Sequence, residues 1–361
     1  HIARMDASYT AVFSAAEIER HAYLADHLNR DTLIEVEAEP LEESRWRVTI
    51  VGYDFPGELS MICGLLFGYG FSIEDGQVFT YEPQDRQTAN RQRGQERRKI
   101  VDAFTVEATQ ENVTAATWVQ YADDLRKLLR EMQAGNRQQA QGKLVKRVAA
   151  VIAGESNAEA TLYPVDIQID NAASGHYTVL RITAPDTPGF LYELTNALAY
   201  NHIYIARVSV ASTGGSAHDI LFVTDANGNK IVSQEQEREL RAAVVLIKHF
   251  THLLPHTPDP ETALLHFREF INQLFRQENW PDELASLENP EVLHRLTQVL
   301  GVSEFLWDDF LRMQHANLFP VVRDVDALET KKSRAELQSE LEQALARDPD
   351  HALAESRAFR A

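Results

Sequence analysis

The sequence predicts an α+β chain in which one antiparallel strand-and-helix unit occurs twice and is followed by a segment that is helical throughout. Two observations carry this. The order strand, turn, helix, strand, strand, helix recurs, and its turns read DFPGEL at 54–59 and DTPGFL at 186–191. From about residue 256 the period-two alternation typical of strands disappears and only helical spacing remains. An internal repeat on this scale decides the architecture before any single element does.

The elements follow in order. Residues 8–29 read as a helix in which Ser14 caps and Glu17 stands three positions later, a capping-box spacing. TLIEVEAEPL alternates as a strand and Pro40 ends it. Val48 and Ile50 alternate with Arg47 and Thr49 in a second strand, and the turn Asp54-Phe55-Pro56-Gly57 leads into Leu59, Ile62, Leu66 and Phe67 at helical spacing. FSIEDGQVFTYE and KIVDAFTVEA are strands separated by a polar stretch, 84–99, without periodicity, and TWVQYADDLRKLLREMQ is a helix that Gly135 closes. HYTVLRITAPDTPGF to KHFTHLL repeats the series. The unit matches most of a split βαβ, ferredoxin-like (βαββαβ) fold. Beyond it, Asp259-Pro260-Glu261 and Asn289-Pro290-Glu291 start helices, a third is expected over 303–318, and Ser333 with Glu336 caps a tail helix carrying Leu337, Leu341 and Leu345. The expected divisions are an N-terminal helical segment at 1–32, a first α+β unit at 33–150, a second at 160–254, and a helical domain with its tail helix at 256–361.

Composition narrows function. At 44% hydrophobic and 25% charged, the 361 residues are ordinary for a globular protein. A net charge of −19 argues against nucleic acid as a partner, because phosphate neutralisation needs a basic surface. No run of about 18 apolar residues predicts a membrane helix. The start of the chain shows no leader pattern, which makes the cytoplasm the expected compartment. The lone Cys63, set among apolar residues, excludes an internal disulfide and reads as core.

The two D-x-P-G-x-L turns are the strongest chemical signal. Proline fixes one torsion, glycine admits the chain to the helix without a side chain, and the helix start offers free N–H groups to a carboxylate. The Asp can cap the helix or take an ammonium group. One isolated turn of this kind would be read as a plain strand-to-helix connection; two at matching places favour ligand binding.

The units resemble ACT domains, whose first turn commonly reads D-x-P-G-x-L. The second unit, IDNAASGHYTVLRITAPDTPGFLYELTNAL with IARVSVAST and HDILFVTDANGNKI, resembles the C-terminal ACT tandem of bacterial PII uridylyltransferases, which sense glutamine. The lead-in FSAAEIERHAYLADHL is similar to theirs too, while GVSEFLWDDFLRMQHANLFPVV resembles glutamine synthetase adenylyltransferases. The resemblance implies a regulatory region with a small amino acid, glutamine favoured, as ligand. It implies a PII-type protein or glutamine synthetase as partner and a homodimer as a plausible assembly. Carried over turn by turn, the ligand residues are Asp54, Phe55, Pro56, Gly57, Glu58 and Leu59, then Asp186, Thr187, Pro188, Gly189, Phe190 and Leu191. Asp75 and Gln77 of the second strand are added because ACT pairs usually hold ligand between domains.

Catalytic residues are not expected. Nucleotidyl transfer needs a Gly-Ser turn followed by Asp-x-Asp for Mg²⁺. Gly214-Gly215-Ser216 has Asp219 too near and Leu221 where the second Asp belongs; Asp324-Val325-Asp326 lacks the Gly-Ser. His218-Asp219 has no partner histidines at useful spacing, and His249, His252, His256 and His266 read better as helix-end cations than as a metal set. The Arg91–Lys99 run reads as a solvated loop rather than a docking patch. No phosphate-binding glycine motif is present, so no cofactor is expected. Three readings remain open: an amino-acid sensor without catalysis of its own, the regulatory part of a nucleotidyltransferase whose catalytic domain lies beyond residue 361, and an oligomerisation scaffold that binds nothing.

Overall fold

The computed structural model describes residues 1–29, 31–82, 98–110, 112–155, 165–187, 189–275, 280 and 290–301. After two short helical segments, α1 (Tyr9–Val12) and α2 (Ala15–His27), come β1 (Ile34–Pro40), β2 (Arg45–Tyr53), α3 (Glu58–Gly68), β3 (Phe71–Thr80), β4 (Lys99–Ala108) and α4 (Ala115–Gln133). A further helix, α5 (Arg137–Glu155), precedes β5 (Asp166–Asp170), β6 (Thr178–Pro185), α6 (Phe190–Tyr200), β7 (Tyr204–Thr213), β8 (Ser216–Thr224) and α7 (Gln234–Leu253). Helices α8 (Pro260–Leu274) and α9 (Pro290–Leu300) follow. The expected third helix at 303–318, the tail helix and Asp324-Val325-Asp326 lie outside the described residues, as does most of the polar stretch 84–99.

The eight strands form one antiparallel sheet in the order β1-β2-β4-β3-β7-β8-β6-β5. Its halves are copies: β1 to β4 pair as β5 to β8 do. The expected βαββαβ order is permuted. The edge strand beside β2 is β1, which comes before it rather than after α4, and β5 stands in the same relation to β6, so each unit reads ββαββα. A strand closes either order equally well, since the hydrogen-bond ladder is indifferent to which end of the unit supplies it.

The halves meet at β3 and β7, where Asp75 pairs with Ala211, Gln77 with Ser209 and Phe79 with Arg207. A 132-residue offset relates Gln77 to Ser209, and the same offset relates Asp75 to Arg207, Phe79 to Ala211, and the bulge between Ile73 and Asp75 to that between Ile205 and Arg207. A pseudo-twofold axis therefore runs through the Gln77–Ser209 pair, whose side chains are joined by a 2.9 Å hydrogen bond.

Helices α3, α4, α6 and α7 cover one face of the sheet. Tyr121 of α4 donates to the Ile62 carbonyl of α3, and Trp118 stacks on Phe71 at 4.4 Å. The other face is covered over the first unit by α1 and α2, through a cluster of Tyr9, Phe13, Leu24, Val51, Phe79 and Val101. The Ser14–Glu17 capping box that starts α2 is formed. Asp259 caps α8 ahead of Pro260, as expected. Helix α5 was not anticipated, although Ala140, Leu144, Val145, Val148, Ala149 and Ile152 are buried at helical spacing. It lies against α3, α4 and α8. Among the described residues no helix is long and apolar enough to cross a membrane.

Helices α3 and α6 also meet across the pseudo-axis, and Gly64 sets their separation. A Cβ there would stand 2.6 Å from the Tyr192 ring and 2.9 Å from Leu144, both buried. Alanine in place of glycine favours a helix by about 1 kcal/mol, but overpacking costs about 1–3 kcal/mol, so the clash decides the sign. Gly64→Ala is expected to lower stability by about 1 kcal/mol in urea unfolding. The loss should shrink in a Tyr192→Leu background, which leaves the Leu144 contact; an undiminished cost there would place the strain elsewhere.

Candidate ligand-binding site

Both turns open their helices in the same way. Gly57 (φ 88°) precedes α3 and Gly189 (φ 77°) precedes α6, in the left-handed region that a side chain resists. Neither glycine can cap, so the first N–H groups of each helix lack a side-chain partner. Pro188 lies outside the described residues.

The surroundings differ. Beside the first turn is a cavity of about 710 Å³, walled on one side by Pro56, Gly57, Glu58, Leu59 and Ser60 and on the other by Thr195, Ala199 and Ile203–Ile205 of the second unit. Beside the second turn is a cavity of about 30 Å³. Its walls are Asp186, Thr187 and Gly189–Tyr192 on one side and Cys63, Phe67 and Phe71–Ile73 on the other. Gly57–Ser60 and Gly189–Tyr192 are the same positions related by the pseudo-axis, as are Thr195, Ala199 and Ile203–Ile205 and Cys63, Phe67 and Phe71–Ile73, whereas Asp186 and Thr187 line the small cavity and Asp54 and Phe55 do not line the large one.

At the large cavity Asp54 does not contribute as a free carboxylate. Its side chain, 6% exposed, accepts a 2.5 Å hydrogen bond from the Tyr204 hydroxyl and a 2.9 Å ion pair from Arg98, whose guanidinium lies 4.4 Å from the Tyr204 ring centre. One oxygen, Oδ1, is buried without a partner. Glu58, the first residue of α3, is buried, and its carboxyl is pushed well up by burial first, then by Asp54 and Asp102. Burial and the Asp54 carboxylate raise the Tyr204 hydroxyl as well. Around the mouth stand Glu82, Arg98, Arg137, His176, His202, Tyr177 and Asp225. Charges of both signs thus surround one opening. His202 takes φ 56° at its rim, where the first unit has Gly70, a conformation a histidine adopts only under local constraint.

Asp75 and Gln77 are not brought to this site. Strand alternation puts them on the face that carries Ala103 and Phe79, opposite the turns: Asp75 sits 4.0 Å from Arg47, and Gln77 bonds Ser209. Phe55 stands in the turn without lining the cavity. Residues that sequence reasoning missed do take part, namely Arg98, Ala199 and Tyr204. Asp102 and Asp219 face the helices from matching places in β4 and β8, opposite Ile50 and Ile182, and Asp219 lines the small cavity. Asp102 is fully buried, and burial and then Asp54 hold its carboxyl well above the usual range. Burial raises Asp219 to about 7, offset only in part by the Ala211 N–H, which is too poorly placed for a full hydrogen bond. The signal was present: each copy places one Asp inside an apolar strand, in IVDAF and HDILF.

Other expectations fall as follows. Gly214 and Gly215 form the β7–β8 hairpin turn. Cys63 is buried core. Among the histidines, His252 faces Glu193 at 3.9 Å, His266 donates to the Leu300 carbonyl and His256 lies against His294. No group of three metal-ligating side chains converges among the described residues. From the Arg91–Lys99 run, Arg98 pairs with Asp54 and Lys99 donates to the Ala25 carbonyl.

Comparison with known proteins places this geometry. Residues 166–251, from β5 into α7, match the ACR9-like, ACT-like domain. The chain is similar to bifunctional uridylyltransferase/uridylyl-removing enzymes. That of Rhodopseudomonas palustris is 28% identical over 201 residues, which cover 55% of this chain and 19% of the relative. That of Azospirillum brasilense is 26% identical over 245 residues, 67% of this chain and 24% of the relative, and that of Cereibacter sphaeroides is 38% identical over 87 residues, 23% and 9%. No solved structure matches. The chain spans about a fifth of the length of the first of these relatives. The ACT-like module at residues 166–251 and the likeness to bacterial uridylyltransferases, both expected from sequence, stand, and they support a regulatory role.

Proposed function

We propose that this region senses a small amino acid, glutamine favoured, in the cavity beside Asp54, and performs no catalysis itself. The observation that carries the reading is the cavity of about 710 Å³ between the uncapped helix start of the first unit and Thr195, Ala199 and Tyr204 of the second, with charged groups of both signs around its mouth. The N–H groups of Leu59 and Ser60 suit the α-carboxylate, and the carboxylates of Glu82 and Asp225 at the mouth suit the ammonium. A ligand held by both units favours one arrangement of them over another, which is how it would reach the helical segment and a PII-type protein or glutamine synthetase beyond it. Residues 33–150 and 160–254 are the two sensing modules in this reading, and 256–361 is the segment that reports.

Isothermal titration tests it, with glutamate and other amino acids beside glutamine. Glutamine is expected to bind, and Ala199→Phe, which puts a ring against Gly57, is expected to weaken it at least about tenfold, or ~1.4 kcal/mol. No heat from any amino acid would leave the scaffold reading.

The names of the relatives favour a second reading, in which this stretch is the regulatory part of a nucleotidyl-transferring enzyme. A reading frame carrying Gly-Ser and Asp-x-Asp on either side of this stretch would support it, and a frame that lacks them on both sides would remove it.

A further inference from the structure

The pseudo-axis supplies an internal comparison: two sites built from equivalent positions, one open and one filled. The offset that carries Gly57 to Gly189 carries Phe67 to Ala199, and each of these side chains faces the glycine of the opposite turn. A Cβ on Gly189 would lie 3.2 Å from the Phe67 ring, whereas one on Gly57 would lie 3.7 Å from the Ala199 methyl. Phe67, 5% exposed, lies in the volume that Ala199 leaves empty. The other exchanges go both ways: Cys63 for Thr195 and Ser72 for Tyr204 put smaller groups at the filled site, whereas Phe71 for Ile203 and Tyr192 for Ser60 put larger ones, but of the side chains on the opposite helix it is Phe67 that stands against the turn glycine.

The filled site has kept polar groups that its contents do not satisfy. Thr187 Oγ1 and both Asp219 oxygens are buried along its wall without a hydrogen-bond partner among the protein groups, and Asp219 is 1% exposed. Asp186 has no tyrosine opposite it, because Ser72 stands where Tyr204 stands for Asp54. Buried polar groups left in this condition are costly and rare in a structural core. A cavity of about 30 Å³ admits a water or two but no amino acid.

We infer that Phe67 is a plug: the chain binds one amino acid, beside Asp54, and the Asp186 turn is a latent second site for the same class of ligand that the ring of Phe67 keeps shut. This rests on the sensing function proposed above, and its test separates the two.

The test is isothermal titration with glutamine of the wild-type chain and of the double exchange Phe67→Ala/Ala199→Phe. The exchange conserves total side-chain volume and so avoids the unfilled core of a single truncation; circular dichroism and a thermal melt would confirm that it folds. The wild-type chain is expected to bind one equivalent. The double exchange is expected to bind one equivalent as well, and its binding should now be lost on Asp186→Ala and survive Asp54→Ala. A wild-type stoichiometry of two, or a folded double exchange that binds nothing, overturns the plug while leaving the sensor intact. A silent wild-type chain overturns both. Should the double exchange fail to fold, Phe67→Leu, which retracts the ring but keeps the core apolar, is expected to show a weak second equivalent, and its absence overturns the plug.

Discussion

Asp219→Val is expected to raise stability by about 4 kcal/mol at pH 8 and by much less at pH 5. The carboxyl of Asp219 is 1% exposed and lacks a well-formed hydrogen bond, and burial lifts it to about 7 from the 3.8 of a free side chain. Because the folded-state value lies above the unfolded one, the folded chain holds more protons between them, and stability falls as pH rises from about 4 to about 7. Above that window the whole penalty is present, at ~1.4 kcal/mol per pH unit. Valine removes it and suits a strand. Urea unfolding of both proteins across pH 5–8 should show the variant losing up to one proton's worth of slope. Asp102, Glu58 and Glu193, raised in the same direction, remain to give a residual slope in both. Parallel curves would mean that Asp219 is solvated or bonded in solution.

Lys248→Met is expected to cost about 3 kcal/mol near pH 9, where Glu193 is ionised, and Glu193→Gln added to it should restore most of that. Glu193 of α6 is 1% exposed and meets Lys248 of α7 at 4.0 Å, with His252 at 3.9 Å. Burial pushes Glu193 to about 8 while Lys248 draws it down; burial lowers Lys248, which also lies 5.4 Å from the Phe190 ring centre. Breaking a buried pair costs about 3–5 kcal/mol because one charge is left behind. The low end applies here, since a carboxyl already raised to about 8 can take up a proton instead. A double-mutant cycle by chemical unfolding measures the coupling. Additive losses would show that the two groups act independently.

Much of the fold was legible because local chemistry wrote it down. The repeated D-x-P-G turns, the Ser14–Glu17 box and the Asp259-Pro260 start all stand where their residues require. What was missed had weaker local marks. Strand β5 is five residues long, and α5 opens on Gln and Lys positions with Gly142 in its course. The permuted strand order leaves no trace in periodicity, because β1 and β5 look the same whichever neighbour they join.

The site was half legible for a different reason. Both turns could be read, but the wall each faces belongs to the other unit, at a separation of more than a hundred residues. The second turn is the better family match, yet its wall carries Phe67; the first faces Ala199. Nothing near residue 57 says that residue 199 is small. Asp75 and Gln77 were assigned by family habit, and the two-residue alternation of β3 turns them away.

The β3–β7 seam has a bearing on how the chain is born. Strand β3 finds its second neighbour only when residues 132 positions later have left the ribosome, a wait on the order of ten seconds at about 5–20 residues per second. During that interval the nascent first half presents an open ladder carrying Val78 and Phe79, the kind of edge that templates wrong pairing. Phe79 is partly sheltered by α1 and α2, which are made before it and close over that face. Ribosome-bound chains halted near residue 150 would therefore be the species most in need of a chaperone, and removing the N-terminal helices should make synthesis of the whole chain more prone to aggregation than its equilibrium stability alone would suggest.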